Sequence, residues 1–167
     1  CVLYEHYEKL QIKNHVERVA LKAASLGFLH GVNTDDLIVA AYLHDISGII
    51  GRDDYIGIAL TEFIPILDEE RLFPMLLHQK ISKNIASQIF TIKNEFILNA
   101  IECHTTLKAN SSLFDKILFI ADKLEWDQCN HPQYYEMIDS RIKESIDYGI
   151  EEYLEYRMTN RNDMLIL

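Results

Sequence analysis

The chain has 167 residues, 49% hydrophobic and 25% charged, enough for one well-filled core and too short for two comfortable ones. Its formal net charge of −10 argues against nucleic-acid polymers and anionic membranes as partners, since both are usually met by a basic field, but allows a small phosphorylated ligand whose charge is met by metal ions. The cysteines Cys1, Cys103 and Cys129 are few, odd in number and unpatterned, which speaks against a disulfide framework and for a reducing compartment.

Six Gly and three Pro are sparse, and neither a linker nor a fixed-period repeat interrupts the chain, so a single domain over 1–167 is expected. With no apolar run long enough to span a membrane and no basic-then-apolar leader, the expected location is the cytoplasm. The first full helix is predicted over 13–29, where Val16, Val19, Ala20, Ala23 and Ala24 form a stripe that closes at Gly27. His15 stands on that stripe with Ile12 and Val16. Asn33 and Thr34 can cap the next helix, with Asp35 and Asp36 in its first turn, where the macrodipole favours them. It continues as LIVAAYLHDISGI over 37–49 and ends at Gly48 or Gly51. On its inner track, Leu37, Ala40 and Ala41 lead to His44, and Asp45 lies one turn beyond Ala41. Both polar groups therefore face the core, where a carboxylate persists only if paired, hydrogen-bonded or bound to a cation.

A shorter helix over 54–63 follows, then a stretch framed by Pro65 and Pro74 that ends in MLLH with His78. Helices are predicted over 79–91, 94–105, 112–127 and 133–158. His104 continues the track of Ile97, Ala100 and Ile101, and Asp122 follows Leu118 and Phe119 on the way to Trp126. The long last helix carries Tyr134, Tyr135, Tyr148, Tyr153 and Tyr156, which pack on the domain or on a second copy in a homodimer; aromatic stripes more often face inward. The fold class is all-α, a bundle of six or seven helices with short loops.

A histidine on an apolar face is usually a satisfied core residue, and a lone inward Asp is usually a cap or a buried ion pair. Here His15, His44, Asp45, His78, His104 and Asp122 break apolar faces in five separate segments, whereas His6, His30 and His131 lie in polar or loop contexts and read as surface residues. Helices packed round one centre would bring the six together, where metal satisfies all of them at once. Six mixed imidazole and carboxylate donors exceed one tetrahedral zinc, so two octahedral-leaning ions fit better, with Asp45 the natural bridge. Two cations about 3.5–4 Å apart lower the pKa of a bridging water and hold a phosphoryl oxygen, the arrangement used for phosphoester and phosphoanhydride hydrolysis. Thr105, next to His104, is placed to hydrogen-bond a phosphate or the nucleophilic water; a hydroxyl capping its own helix end accounts for it equally well.

The order His, His-Asp, His, His, Asp resembles the HD-domain metal-dependent phosphohydrolases. More closely, HVERVALKAASLG, AAYLHDIS, LLHQKISKNIA, ILNAIECHTT and DKILFIADKLE, over about residues 12–128, resemble the YqeK-type symmetrical bis(5'-nucleosyl)-tetraphosphatases. That resemblance implies one metal held by His15, His44, Asp45 and Asp122, and a second held by His78 and His104 with Asp45 between them. It implies iron as the metal, with manganese, cobalt or nickel as alternatives, and cleavage of diadenosine tetraphosphate into two ADP. Asp45, His78 and Thr105 are then the catalytic candidates. The chain departs from the family at Gly48 (usually Lys), Gln79 (usually Gly), Leu107 (usually Gly), Trp126 (usually Pro) and Gln128 (usually Arg). Arg52, Lys80 and Lys83 are the nearby cations expected to bind phosphate in place of the missing Lys and Arg. Two other readings are a nucleotidase releasing phosphate from nucleoside mono- or diphosphates, and a nucleotide-binding module with little turnover.

Overall fold

A glycine in the left-handed region sets the first sharp boundary. The first long helix, α2 (Leu10–His30), follows a short α1 (Val2–His6) and ends at Gly31, whose φ of 67° lets the N–H groups of Gly31 and Val32 return to the carbonyls of Phe28 and Gly27. The helix therefore runs past Gly27. That residue is buried, and a Cβ on it would collide with the Leu37 side chain, so Gly27 is a close-packing position rather than a terminator. Leu37 belongs to α3 (Thr34–Leu43), which is capped by the Asn33 side chain accepting from the N–H groups of Asp35 and Asp36. The helix stops at Leu43, and Ile46–Ile49 form a 3-10 turn. His44 and Asp45 thus stand at a helix end, not inside a helix. Gly48 lies in that turn without a positive φ.

The computed structural model describes residues 2–126 and 132–160. Beyond a second 3-10 turn (Arg52–Asp54), it continues through α4 (Tyr55–Thr61), α5 (Asp68–Leu72), a turn at Pro74–Leu76, α6 (Leu77–Gln88), α7 (Glu95–Cys103), α8 (Leu113–Leu124), α9 (Tyr135–Ile142) and α10 (Ile146–Thr159). No strand occurs among the described residues, and the count of ten helices exceeds six or seven because short α1 and α5 carry too few residues to show a period and the last segment is two helices. Ser145 caps α10 by accepting from the Asp147 N–H, and Gly149 lets the Ile142 side chain pack against the backbone. The resulting hairpin folds Ile146, Ile150 and Tyr153 back onto the core, which a continuous helix could not do.

At the centre lies α8, with nearly all of its 12 residues buried, packed against α2, α7 and α10. The core gathers Val19, Leu37, Ile101, Leu118 and Phe119, and of the late tyrosines it takes in Tyr134 and Tyr153, whereas Tyr148 stays 44% exposed. A smaller cluster of Tyr55, Ala59, Leu77 and Ile81 supports α6 from the other side. These contacts aim five chain segments at one point.

Candidate metal centre

His15 projects from the second turn of α2, His44 and His104 follow the last residues of α3 and α7, His78 lies in the first turn of α6, and Asp122 in the last turn of α8. Each imidazole is oriented by a main-chain oxygen. The Nδ1–H of His44 donates to the Ala41 carbonyl at 2.7 Å, that of His104 to Ile101 at 2.8 Å, and that of His78 to Met75 at 2.6 Å, always three residues back. Ala41 and Ile101 lie in last turns, where carbonyls lack intrahelical partners. His15 instead uses the Glu125 carbonyl across the core, at 3.1 Å. Since a carbonyl oxygen only accepts, each Nδ1 must carry the proton, and in the neutral ring each Nε2 is a bare lone pair.

Those four Nε2 atoms converge. His78 and His104 bring theirs to 3.0 Å, His15 and His44 to 3.3 Å, and His15 Nε2 lies 3.0 Å from Asp122 Oδ1. Asp45 stands between the pairs: Oδ1 is 3.6 Å from His78 and 3.4 Å from His104, while Oδ2 is 3.9 Å from His15 and 3.7 Å from His44. With every Nδ1 protonated, these are acceptors facing acceptors, an arrangement that demands a cation. Donors bound to one ion at about 2.0–2.2 Å stand about 3–3.5 Å apart, close to the separations found. His15, His44 and Asp122 form one such group and His44, Asp45 and His104 another. The residues fit divalent metal.

The electrostatics agree. Burial acts to raise the Asp45 carboxyl, yet His44, His104 and His78 hold it well below the usual carboxylate range. Burial opposes ionisation of Asp122 too, but Lys123 beside it, with His15 and His44, keeps it ionised. Burial likewise acts to lower His44, and the Asp45 and Asp122 carboxylates overcome it and raise the ring. His104 is pushed down to about 4 by burial, and His78 is lowered for the same reason. Two ionised carboxylates therefore share a buried centre with one lysine, and the remaining negative charge suits metal cations.

Thr105 Oγ–H donates to His78 Nε2 at 3.0 Å, so the hydroxyl faces the centre rather than its own helix end. Lys80 and Lys83 are engaged elsewhere: Lys80 donates to Glu70 at 2.8 Å and to the Pro65 carbonyl, and Lys83 to Glu102 at 2.7 Å. Both line a hollow of about 420 Å³ with Phe63, Asn84 and Glu102, and none of the six centre residues lines it. Arg52 is exposed in its turn. Gln128, Cys129 and His131 lie outside the described residues.

The HD domain family model matches residues 12–127, and the chain belongs to that family. A Lactococcus lactis subsp. cremoris protein, described as uncharacterised and encoded 5' of pepC, is 35% identical over 158 residues, 89% of this chain and 78% of that one. A Mycoplasma genitalium protein, a probable nicotinate-nucleotide adenylyltransferase/Ap4A hydrolase, is 30% identical over 113 residues, 66% of this chain but 31% of the longer relative. The structure of a Clostridium acetobutylicum protein, described as a predicted HD superfamily hydrolase involved in NAD metabolism, superposes with a TM-score of 0.78 at 25% identity, covering 87% of this chain and 78% of that one. Among the described residues, no helix is long and apolar enough to cross a membrane.

Four residues outside the predicted site set support it. Lys123, only 4% exposed, donates to Asp122 Oδ2 at 2.7 Å; a lysine inside the apolar run of α8 is the same kind of interruption as Asp122, and was legible as such. Ser47 and Ser82, both fully buried, join the turn after Asp45 to α6: Ser47 Oγ–H donates to the His78 carbonyl and Ser82 Oγ–H to Ser47 Oγ. Gln79 accepts the Thr105 N–H at 3.2 Å and donates to Thr106 Oγ at 3.1 Å, fixing the turn after His104.

Proposed function

We propose that this chain is a di-metal phosphohydrolase that cleaves a nucleotide phosphoanhydride, and that its substrate is diadenosine tetraphosphate, split symmetrically into two ADP. The observation that carries the reading is the division of Asp45, one oxygen toward His78 and His104 and the other toward His15 and His44. When bound, two ions, iron first and manganese, cobalt or nickel otherwise, supply an activated water and neutralise charge on the phosphoryl oxygens. His15, His44, Asp45 and Asp122 would hold one ion, and His78 and His104 with Asp45 the other. The chain's own part is to orient: four carbonyls fix the imidazoles, and Lys123 fixes Asp122 so that its other oxygen faces inward. The Thr105 hydroxyl sits beside His78 Nε2, close enough to donate to a substrate oxygen or to the attacking water. The name of the Mycoplasma genitalium relative supports the substrate, which enters as a small nucleotide rather than a polymer or a membrane; the setting is the cytoplasm, and a homodimer is the assembly to look for.

A second reading, phosphate release from nucleoside mono- or diphosphates, is favoured by one feature: Lys80 and Lys83 are held by Glu70 and Glu102, which leaves less positive charge for four phosphates. Metal-loaded protein given diadenosine tetraphosphate and a panel of mononucleotides, with products separated by chromatography, decides. ADP as the sole product supports the first reading, inorganic phosphate from a mononucleotide supports the second, and background turnover on every compound overturns both.

A further inference from the structure

Trp126 is the only tryptophan in the chain. It follows α8 at the edge of the metal centre and remains 47% exposed although it is the largest apolar side chain available. Its ring lies 6.3 Å from the His15 ring at an interplanar angle of 80°, and the Lys123 ammonium is 5.4 Å from its centroid. Both neighbours belong to the centre: His15 by its Nε2, and Lys123 by its bond to Asp122. The indole is thus set against two residues of the centre, open to solvent, and one ring away from the converging Nε2 atoms. A flat aromatic surface held beside a cation is a platform for a nucleobase, because every base has a π-face and stacking needs no hydrogen-bond pattern.

We propose that Trp126 is the nucleobase-stacking subsite of this enzyme, seating the base of the substrate at the edge of the centre beside His15 while its phosphate chain extends across the centre toward the open side at His78 and Thr105. The assignment rests on the nucleotide-hydrolase reading above. It predicts tolerance for the identity of the base, purines preferred for their larger face, with discrimination against substrates that have none.

The test uses the full metal-loaded chain and its single tryptophan. ADP should change Trp126 emission saturably, and inorganic pyrophosphate, which lacks a base, should leave it unchanged. In Trp126→Ala, kcat/KM for diadenosine tetraphosphate should fall about 5- to 150-fold relative to kcat/KM for inorganic tetraphosphate, chiefly through KM; that ratio is about 1–3 kcal/mol of stacking at 1.4 kcal/mol per tenfold. Trp126→Phe should recover most of the loss. Equal losses on both substrates, or an ADP titration that Trp126 does not report, would overturn the subsite and leave Trp126 as a packing neighbour of His15. Wild-type protein that hydrolyses no nucleotide at all refutes the hydrolase reading, while the ADP titration still decides the stacking. If Trp126→Ala fails to fold, Trp126→Phe and the titration remain decisive.

Discussion

The two halves of the centre are built differently. His15, His44 and Asp122 come from α2, α3 and α8, which pack directly on one another, and all three side chains are buried. His78 and His104 come from α6 and α7, are accompanied by the Thr105 hydroxyl, and reach Asp45 from the side on which His78 and Thr105 are partly open. The first half is anchored in the core; in the second His104 is as deeply buried, and it is His78 and Thr105 that stand at the entrance. A ligand set closed by protein donors suits a structural metal, whereas a half with fewer protein ligands leaves room for a substrate oxygen. On the proposed di-metal reading, the comparison assigns retention to the first half and substrate contact to the second, with Asp45 coupling them.

The largest effect should come from the coupling residue. Asp45→Ala is expected to reduce metal content from about two ions per chain to near none and to lower kcat/KM at least about 1,000-fold, or roughly 4 kcal/mol of transition-state stabilisation. His78→Ala should instead leave the closed half loaded, at about one ion per chain, with activity lost as severely. Elemental analysis of the two variants side by side measures the asymmetry. Equal metal loss in both would abolish the distinction between the halves.

Next in size is Lys123→Met. It leaves Asp122 Oδ2 buried without its ammonium partner, and breaking one side of a buried pair costs about 3–5 kcal/mol. Chemical unfolding of metal-free protein should show that loss, and metal should restore part of it by supplying the missing positive charge. Metal-free Lys123→Met as stable as the parent would mean that Asp122 does not depend on Lys123.

The halves also respond to pH in opposite senses when metal is removed. Buried His104 takes up a proton only near pH 4 when folded, but near about 6.5 when unfolded. Its contribution to stability is therefore complete above about 6.5 and lost as the pH falls toward 4. For His44, held up against burial by Asp45 and Asp122, the sign reverses: its contribution is complete below about 6.5 and lost as the pH rises through its raised folded value. Imidazole NMR titration of the metal-free chain should separate the two rings on either side of the ordinary histidine range, and a common midpoint for both would contradict the difference between the halves.

Much of this site was legible because its residues violate a pattern. An imidazole or carboxylate on an apolar helical track is visible without a structure, and the six such residues are those brought together here. Features that obey no one-dimensional pattern were hidden. That His44 stands past the end of α3 depends on Asp45 leaving helical geometry, with φ −109° and ψ 21°. The break between α9 and α10 depends on how closely Ile142 approaches Gly149, and the role of Gly27 on how closely Leu37 approaches it. Lys80 and Lys83 looked like cations near the phosphates because they follow His78 closely in sequence. Their partners Glu70 and Glu102 lie 10 and 19 residues away, distances over which charge pairing cannot be read from the chain.

The smallest expected effect concerns the entrance half alone. Gln79 is 4% exposed, its amide occupied on both sides by Thr105 N–H and Thr106 Oγ. In this chain, then, the turn that presents Thr105 is held by a side chain. Gln79→Ala should free that turn without touching a ligand, and losing one or two neutral hydrogen bonds costs about 1–2 kcal/mol. Metal content should stay at the parental level while kcat/KM falls about 5- to 30-fold, since misplacing a substrate-contacting hydroxyl acts on turnover rather than on the ions. Thr105→Val should give a loss of similar size, and the double variant little more than either single, because both changes remove the same hydroxyl from the same place. Thr105→Ser should recover activity in the Gln79 background but not in Gln79→Ala. Fully additive losses in the double variant would show that Gln79 acts on something other than Thr105, and a fall in metal content would place it among the supports of His104 instead.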